Sequence, residues 1–129
     1  MPEPIPAALN RITGQIVDAA YHVHRVLGPG LLESVYEVCL AHELGKLGLR
    51  AERQVVLPIV YDGIRLDAGL RLDLLVENAV VVELKAIECL LPVHKAQVMT
   101  YLKLSGYRLG LLINFNVALI KDGIERVAN

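Results

Sequence analysis

Two cysteines are all that the 129 residues contain, and their placement excludes the chemistry cysteines usually announce. Cys39 falls in a helical pattern and Cys89 just after a strand pattern, too far apart to read as a metal-ligand pair. Both are expected to be reduced packing residues. Also missing is an excess of charge of one sign: 13 basic against 14 acidic side chains leave a formal net charge of -1. That excludes a broad phosphate-binding surface and leaves room only for a local basic patch. Arg53, Arg71, Lys95, Lys103 and Arg108 are the groups available for one. No apolar run is long enough to span a bilayer, and no basic-then-apolar leader opens the chain, so a cytoplasmic protein without a membrane partner is expected. Repeats and low-complexity tracts are absent too. What remains is 54% hydrophobic and 21% charged, the balance of one globular domain with a real core.

Residues 1–8 hold three prolines and no periodicity, and read as a flexible arm before a single domain at 9–129. Leu9, Ile12, Ile16, Ala19, Ala20, Val23 and Leu27 keep helical spacing up to the stop at Gly28-Pro29-Gly30. On that helix His22 and His24 are two apart and so on different faces, poor geometry for sharing a metal. Structural roles suit both better, with His24 the nearer to a cleft at the glycine turn. A second helix is expected over 31–47, with Leu32, Val35, Leu40, Leu44 and Leu47 as its apolar stripe and Gly48 as its end. Residues 52–61 read as a strand in which Pro58 hints at an edge or bulge. Asp62-Gly63 is a hairpin turn, and Asp67-Ala68-Gly69 should interrupt the returning strand.

The next stretch, residues 71–86, carries the chemistry. Its first half alternates, Arg71, Asp73 and Leu75 against Leu72, Leu74 and Val76; its second is apolar on both faces apart from Glu83 and Lys85. A strand of the second kind belongs in the middle of a sheet. Facing residues of a hairpin share a face, so loop length decides which charges meet. A two-residue loop would mix polar with apolar on both faces. A three-residue loop at Glu77-Asn78-Ala79, with Asn78 or Ala79 left-handed, sets Asp73 against Glu83, Arg71 against Lys85, Leu74 against Val82 and Leu72 against Leu84. Two carboxylates at about 4 Å repel by roughly 4 kcal/mol at an effective dielectric near 20. A shared proton, a cation or a divalent metal relieves that, and hard oxygen donors suit Mg2+ or Mn2+. A cross-strand salt-bridge cluster would also account for these charges.

Beyond it, Pro92 opens a helix to about Ser105, on which His94, Gln97 and Tyr101 form a polar stripe and Val93, Ala96, Met99, Thr100 and Leu104 should face inward. Residues 108–115 read as a buried strand, with turn asparagines Asn114 and Asn116 flanking Phe115 at its exit. Leu119-Ile120 and residues 124–127, joined at Asp122-Gly123, should form a terminal hairpin.

Asp73 followed by Glu83-Leu84-Lys85 resembles the D…ExK core of the PD-(D/E)XK nuclease superfamily. Gly30-Leu31-Leu32-Glu33-Ser34-Val35-Tyr36 adds G-x-x-E-x-x-Y, and Gln97-x-x-x-Tyr101 resembles the Q-x-x-x-Y element of its exonuclease-like members. In this order, and over about residues 9–128, the segments closely resemble the GxxExxY group of that superfamily. The resemblance implies an α/β, restriction-endonuclease-like fold: a central mixed β-sheet flanked by α-helices. It implies Asp73, Glu83 and the backbone carbonyl of Leu84 as ligands of Mg2+ (or Mn2+), Glu33 as a further ligand or holder of a bridging water, Lys85 as the catalytic lysine and Gln97 as its support. Arg71, His94, Lys95 and Tyr101 are the expected substrate contacts, and nucleic acid, DNA or RNA, the expected partner. Leu70 stands where relatives often carry an aromatic, which weakens a stacking role there. The rival reading is a non-catalytic nucleic-acid- or protein-binding module on the same fold. A homodimer is open under either, since so small a cleft would grip a duplex poorly alone.

Overall fold

The computed structural model describes residues 3–129. Helices α1 (Ala7–Leu27) and α2 (Glu33–Lys46) precede strands β1 (Ala51–Tyr61), β2 (Ile64–Val76) and β3 (Val80–Lys85). Helix α3 (Pro92–Ser105) crosses to β4 (Leu109–Asn114), and β5 (Ile124–Ala128) closes the chain. The five strands lie in sequence order, antiparallel except for the parallel pair β3–β4. The mixed sheet flanked by helices is the α/β architecture expected of a restriction-endonuclease-like fold, and β3 is its central strand. One core joins α1 and α2 to one face through Ile16, Ala20, Tyr36, Leu40, Leu44, Val82, Leu84 and Phe115. The other packs α3 on the opposite face through Leu70, Leu72, Leu75, Val81, Val98, Leu102 and Leu112. Burying one such aliphatic side chain contributes about 1.5–3 kcal/mol, so each layer adds substantially to stability.

Several sequence expectations give way to longer-range packing. Of the arm at residues 1–8, residues 1–2 lie outside the described residues; the backbone of Glu3 and Pro4 accepts hydrogen bonds from Arg108, and the helix starts at Ala7. On α2 the buried face is Tyr36, Glu37, Leu40 and Leu44, while Leu32 and Leu47 are exposed. On α3 it is Val98 and Leu102, with Val93, Ala96, Thr100 and Leu104 exposed and Gln97 and Tyr101 turned partly inward. Of the polar stripe, Gln97 and Tyr101 border a cavity at the sheet, and His94 does not. Instead of a terminal hairpin, a single 3-10 turn at Ile120–Gly123 feeds β5 onto β4. A Cβ on Gly123 would lie 2.1 Å from the carbonyl oxygen of Asn114, so this approach requires glycine. Cys39 is half-buried, but Cys89 is exposed rather than packed.

Both hairpin turns follow their signals. Asp62 and Gly63 are left-handed (φ 48° and 77°), joining Tyr61 to Ile64. Residues 77–79 form the three-residue loop, with Glu77 and Asn78, and not Ala79, left-handed. β2 is continuous through Asp67-Ala68-Gly69, although the β1–β2 register shifts there, opposite Pro58.

Candidate active site

The β2–β3 register is Leu74 opposite Val82, Leu75 opposite Val81 and Val76 opposite Val80. Beyond Leu74 the two strands part, and the next residues inward, Asp73 and Glu83, fill the fork with their side chains. The Asp73 amide donates to Glu83 Oε2 at 3.0 Å, and the Leu84 amide donates to Asp73 Oδ2 at 2.9 Å. Each carboxylate thus takes the place of a ladder carbonyl on the facing strand. Strand alternation also breaks at Asp73: Leu74 and Val76 pack with α1 and α2, whereas Leu72 packs with α3. Leu72 therefore does not share an apolar layer with Leu84, as strict period-2 alternation required. Gln54, opposite Asp73 on β1, is left-handed (φ 54°), and the Gln54–Asp73 rung is missing between Arg53–Leu74 and Val55–Leu72.

Glu33, Arg71, Asp73, Glu83, Lys85, Gln97 and Tyr101 line one cavity of about 220 Å³. α2 brings Glu33 to the rim with its first residue, β2 and β3 supply the floor, and α3 supplies the far wall. Gln97 Nε2 donates to the Tyr101 hydroxyl at 3.0 Å, which orients the amide along that wall. Glu83 is the buried member, and burial pushes its carboxyl up to about 9, helped by the hydrogen bond and charge of Asp73. The Asp73 amide and the Lys85 ammonium oppose that shift and do not overcome it. Glu33 is raised as well, first by partial desolvation, then by the charge of Asp73, with Lys85 opposing and Glu37 adding to the rise. Burial and mutual repulsion both favour the neutral form of such an acid pair. Among the described residues no three acidic, histidine or cysteine side chains form a ready-made metal-binding group. Asp73 and Glu83 are still a donor set of the hard-oxygen kind that Mg2+ accepts.

A family model described as the PD-(D/E)XK nuclease superfamily matches residues 10–127. The chain belongs to that superfamily. The crystal structure of SSO0001 resembles it with a TM-score of 0.55 at 22% identity, over 93% of this chain and 62% of that one, a likeness of fold. This chain therefore spans under two thirds of SSO0001's length. No curated protein matches it.

In this PD-(D/E)XK chain the remaining sequence candidates lie elsewhere. His94 is outside the cavity; its Nδ1 accepts from the Leu91 amide at 2.8 Å and so caps α3. Lys95 reaches Glu125 at 3.9 Å. His24 is outside this cavity and acts as a clamp, its Nε2 2.8 Å from the Val117 carbonyl oxygen. His22 faces Arg25 and Glu43. Of the five basic groups, Arg71 alone lines the cavity; Arg53 is bound to Glu37, and Arg108 to the backbone of Glu3, Pro4 and Asn129.

Other residues set the frame for this site. Tyr36, fully buried, stacks on Phe115 with centroids 4.6 Å apart. Its hydroxyl donates to Gly28 O at 2.7 Å and accepts from the Leu31 amide at 3.1 Å. The tyrosine of G-x-x-E-x-x-Y thereby pins the glycine turn from which α2 presents Glu33. Asn114 is no mere turn residue: its side chain accepts from the Ile87 amide and donates to the Ile87 carbonyl, holding the chain as it leaves Lys85. Glu37, one turn after Glu33 on α2, is buried as well, a position that no local pattern signals.

Proposed function

We propose that the protein is a Mg2+- or Mn2+-dependent nuclease that hydrolyses phosphodiester bonds of nucleic acid, DNA or RNA. The observation that carries this reading is the fork itself: two carboxylates converge with Lys85 beside them, and Glu83 is short of a positive partner. A cross-strand salt-bridge cluster would draw the lysine onto an acid, and among the described residues Lys85 makes no ion pair within 4.0 Å.

In this mechanism Asp73, Glu83 and the Leu84 carbonyl would hold the cation. A divalent ion there supplies charge neutralisation at the phosphate and lowers the pKa of water. Lys85 orients the attacking water and stabilises the charge that develops on the phosphoryl oxygens. As the water oxygen bonds to phosphorus and the ester P–O bond breaks, the attacking water releases a proton to solvent and the departing alkoxide takes one up from it. Glu33, at the rim, holds a second water or a further cation, and Gln97 supports Lys85 from the α3 wall. Arg71 and Tyr101 contact the substrate backbone; His94 and Lys95 would meet only a strand that runs past the cavity over the first turn of α3. The motif around Glu33 and Tyr36 supports membership of the GxxExxY group within the superfamily. The same reading has the protein working in the cytoplasm, where a second copy of the chain would supply grip that the near-neutral surface lacks. Among the described residues no helix is long and apolar enough to cross a membrane.

Calorimetric titration of Mg2+ and Mn2+ into wild type and Asp73→Ala, followed by a screen of nucleic-acid substrates, tests this. Cation binding that vanishes in the variant, with cleavage in the screen, is expected. Absence of both in wild type, with nucleic acid present to complete the site, would favour the binding module instead.

A further inference from the structure

Outside the cavity, Glu37 is a buried carboxylate that the mechanism does not use. Its bonds are unevenly shared. Arg53 brings both Nε (3.1 Å) and Nη2 (3.0 Å) to Oε2, while Oε1 is left to the Gln54 amide at 2.5 Å. A guanidinium meeting a carboxylate freely would fork across both oxygens. Here one oxygen is reserved for Gln54, the residue whose left-handed backbone removes the rung to Asp73. A non-glycine residue in that conformation is disfavoured and persists where its surroundings hold it. Restoring the extended conformation at Gln54 would restore the rung, return β2 to strict alternation and draw Asp73 back from the fork.

We infer that Glu37 is a positioning residue: through Gln54 it holds the turn in β1 that keeps Asp73 out of the ladder and aimed at Glu83. Glu37 also lies one helical turn after Glu33, so a single helix sets both the rim acid and the fork. The inference rests on the nuclease reading only for what the fork binds; its geometry stands apart.

The test uses the full chain as wild type, Glu37→Ala, and Glu37→Ala combined with Gln54→Gly, since glycine adopts the left-handed turn without an anchor. Two quantities are read: amide hydrogen exchange at Leu84, whose N–H bonds Asp73, referenced to Val81, and Mg2+ affinity by calorimetry. Glu37→Ala should speed Leu84 exchange about tenfold relative to Val81 and weaken Mg2+ about tenfold. The added glycine should return both to within about threefold of wild type. A residue that merely braced the helix would not be rescued by a glycine on another element. Unchanged Leu84 exchange in Glu37→Ala, or no rescue by Gln54→Gly, overturns the inference. Should Glu37→Ala not fold, Gln54→Val decides by the same exchange criterion, since it keeps the Glu37–Arg53 pair and disfavours the turn. If wild type binds no Mg2+ even with nucleic acid present, the nuclease reading fails, and Leu84 exchange alone still decides the role of Glu37.

Discussion

The junction between α2 and β1 and the fork between β2 and β3 each bury one glutamate, Glu37 at 6% and Glu83 at 4% exposure. Their surroundings differ in kind. At the junction, a guanidinium and an amide satisfy both oxygens of Glu37. At the fork, Glu83 has another acid and one backbone amide for company, and its carboxyl is pushed up to about 9. Burial alone therefore says little about a carboxylate's role. A buried acid whose partners are all within the protein is a strut, and one left facing a second acid in an open cavity is a receptor for a proton or a cation.

That contrast can be broken in several ways. The largest effect should come from Lys85→Ala, which takes from the fork the lysine that lines its cavity. Cleavage should fall at least about a hundredfold to a thousandfold, with an unchanged circular dichroism spectrum. Retained cleavage would remove Lys85 from the mechanism. Next, Glu37→Ala should cost about 1–3 kcal/mol in urea unfolding, because Arg53 and Gln54 lose their acceptor, while Glu83→Gln at pH 8 should cost less or stabilise. Equal losses from the two substitutions would erase the distinction between strut and receptor.

A subtler reading is the pH slope. Glu83 has a folded pKa above its unfolded value near 4.5, so the folded protein holds that proton more tightly than the unfolded chain. Its favourable contribution is complete below about 4.5 and is lost as pH rises towards about 9. Metal-free wild type should thus lose stability relative to Glu83→Gln across that window, measured by urea midpoints at several pH values. Parallel curves would mean that Glu83 ionises like an exposed acid. Smallest of all, Arg65→Ala on the exposed β1–β2 arm breaks a solvent-facing pair with Asp67 (2.7 Å) and should change stability by less than about 0.5 kcal/mol. A larger loss there would mean that the arm is not the bare ribbon its exposure describes.

Much of the fork was legible before any coordinates. Loop length and period-2 alternation were enough to set Leu74 against Val82 and so to bring Asp73 and Glu83 together, because parity is a local property of the chain. The separation of the strands beyond that point was not legible, since it depends on Gln54, some 20 residues earlier, and on Glu37, on a different element. Helix α3 was misread for a related reason. Val93 and Leu104 looked like core residues by composition, yet the cavity draws Gln97 and Tyr101 inward and leaves the apolar pair exposed. The terminal segment failed where Gly123, taken as a turn residue, proved to be needed for backbone contact with Asn114.

By itself, then, the order of residues determined the elements, the class of fold, the superfamily and the charges that would converge, all properties carried by spacing along one or two segments. Tertiary structure alone decided that Glu83 would be buried with its carboxyl pushed up, that Tyr36 would clamp the turn before Glu33, and that His24, His94 and Lys95 would be spent elsewhere. The physical reason is the same throughout: desolvation and hydrogen-bond partnership depend on what the rest of the chain packs around a side chain, and no local pattern records it.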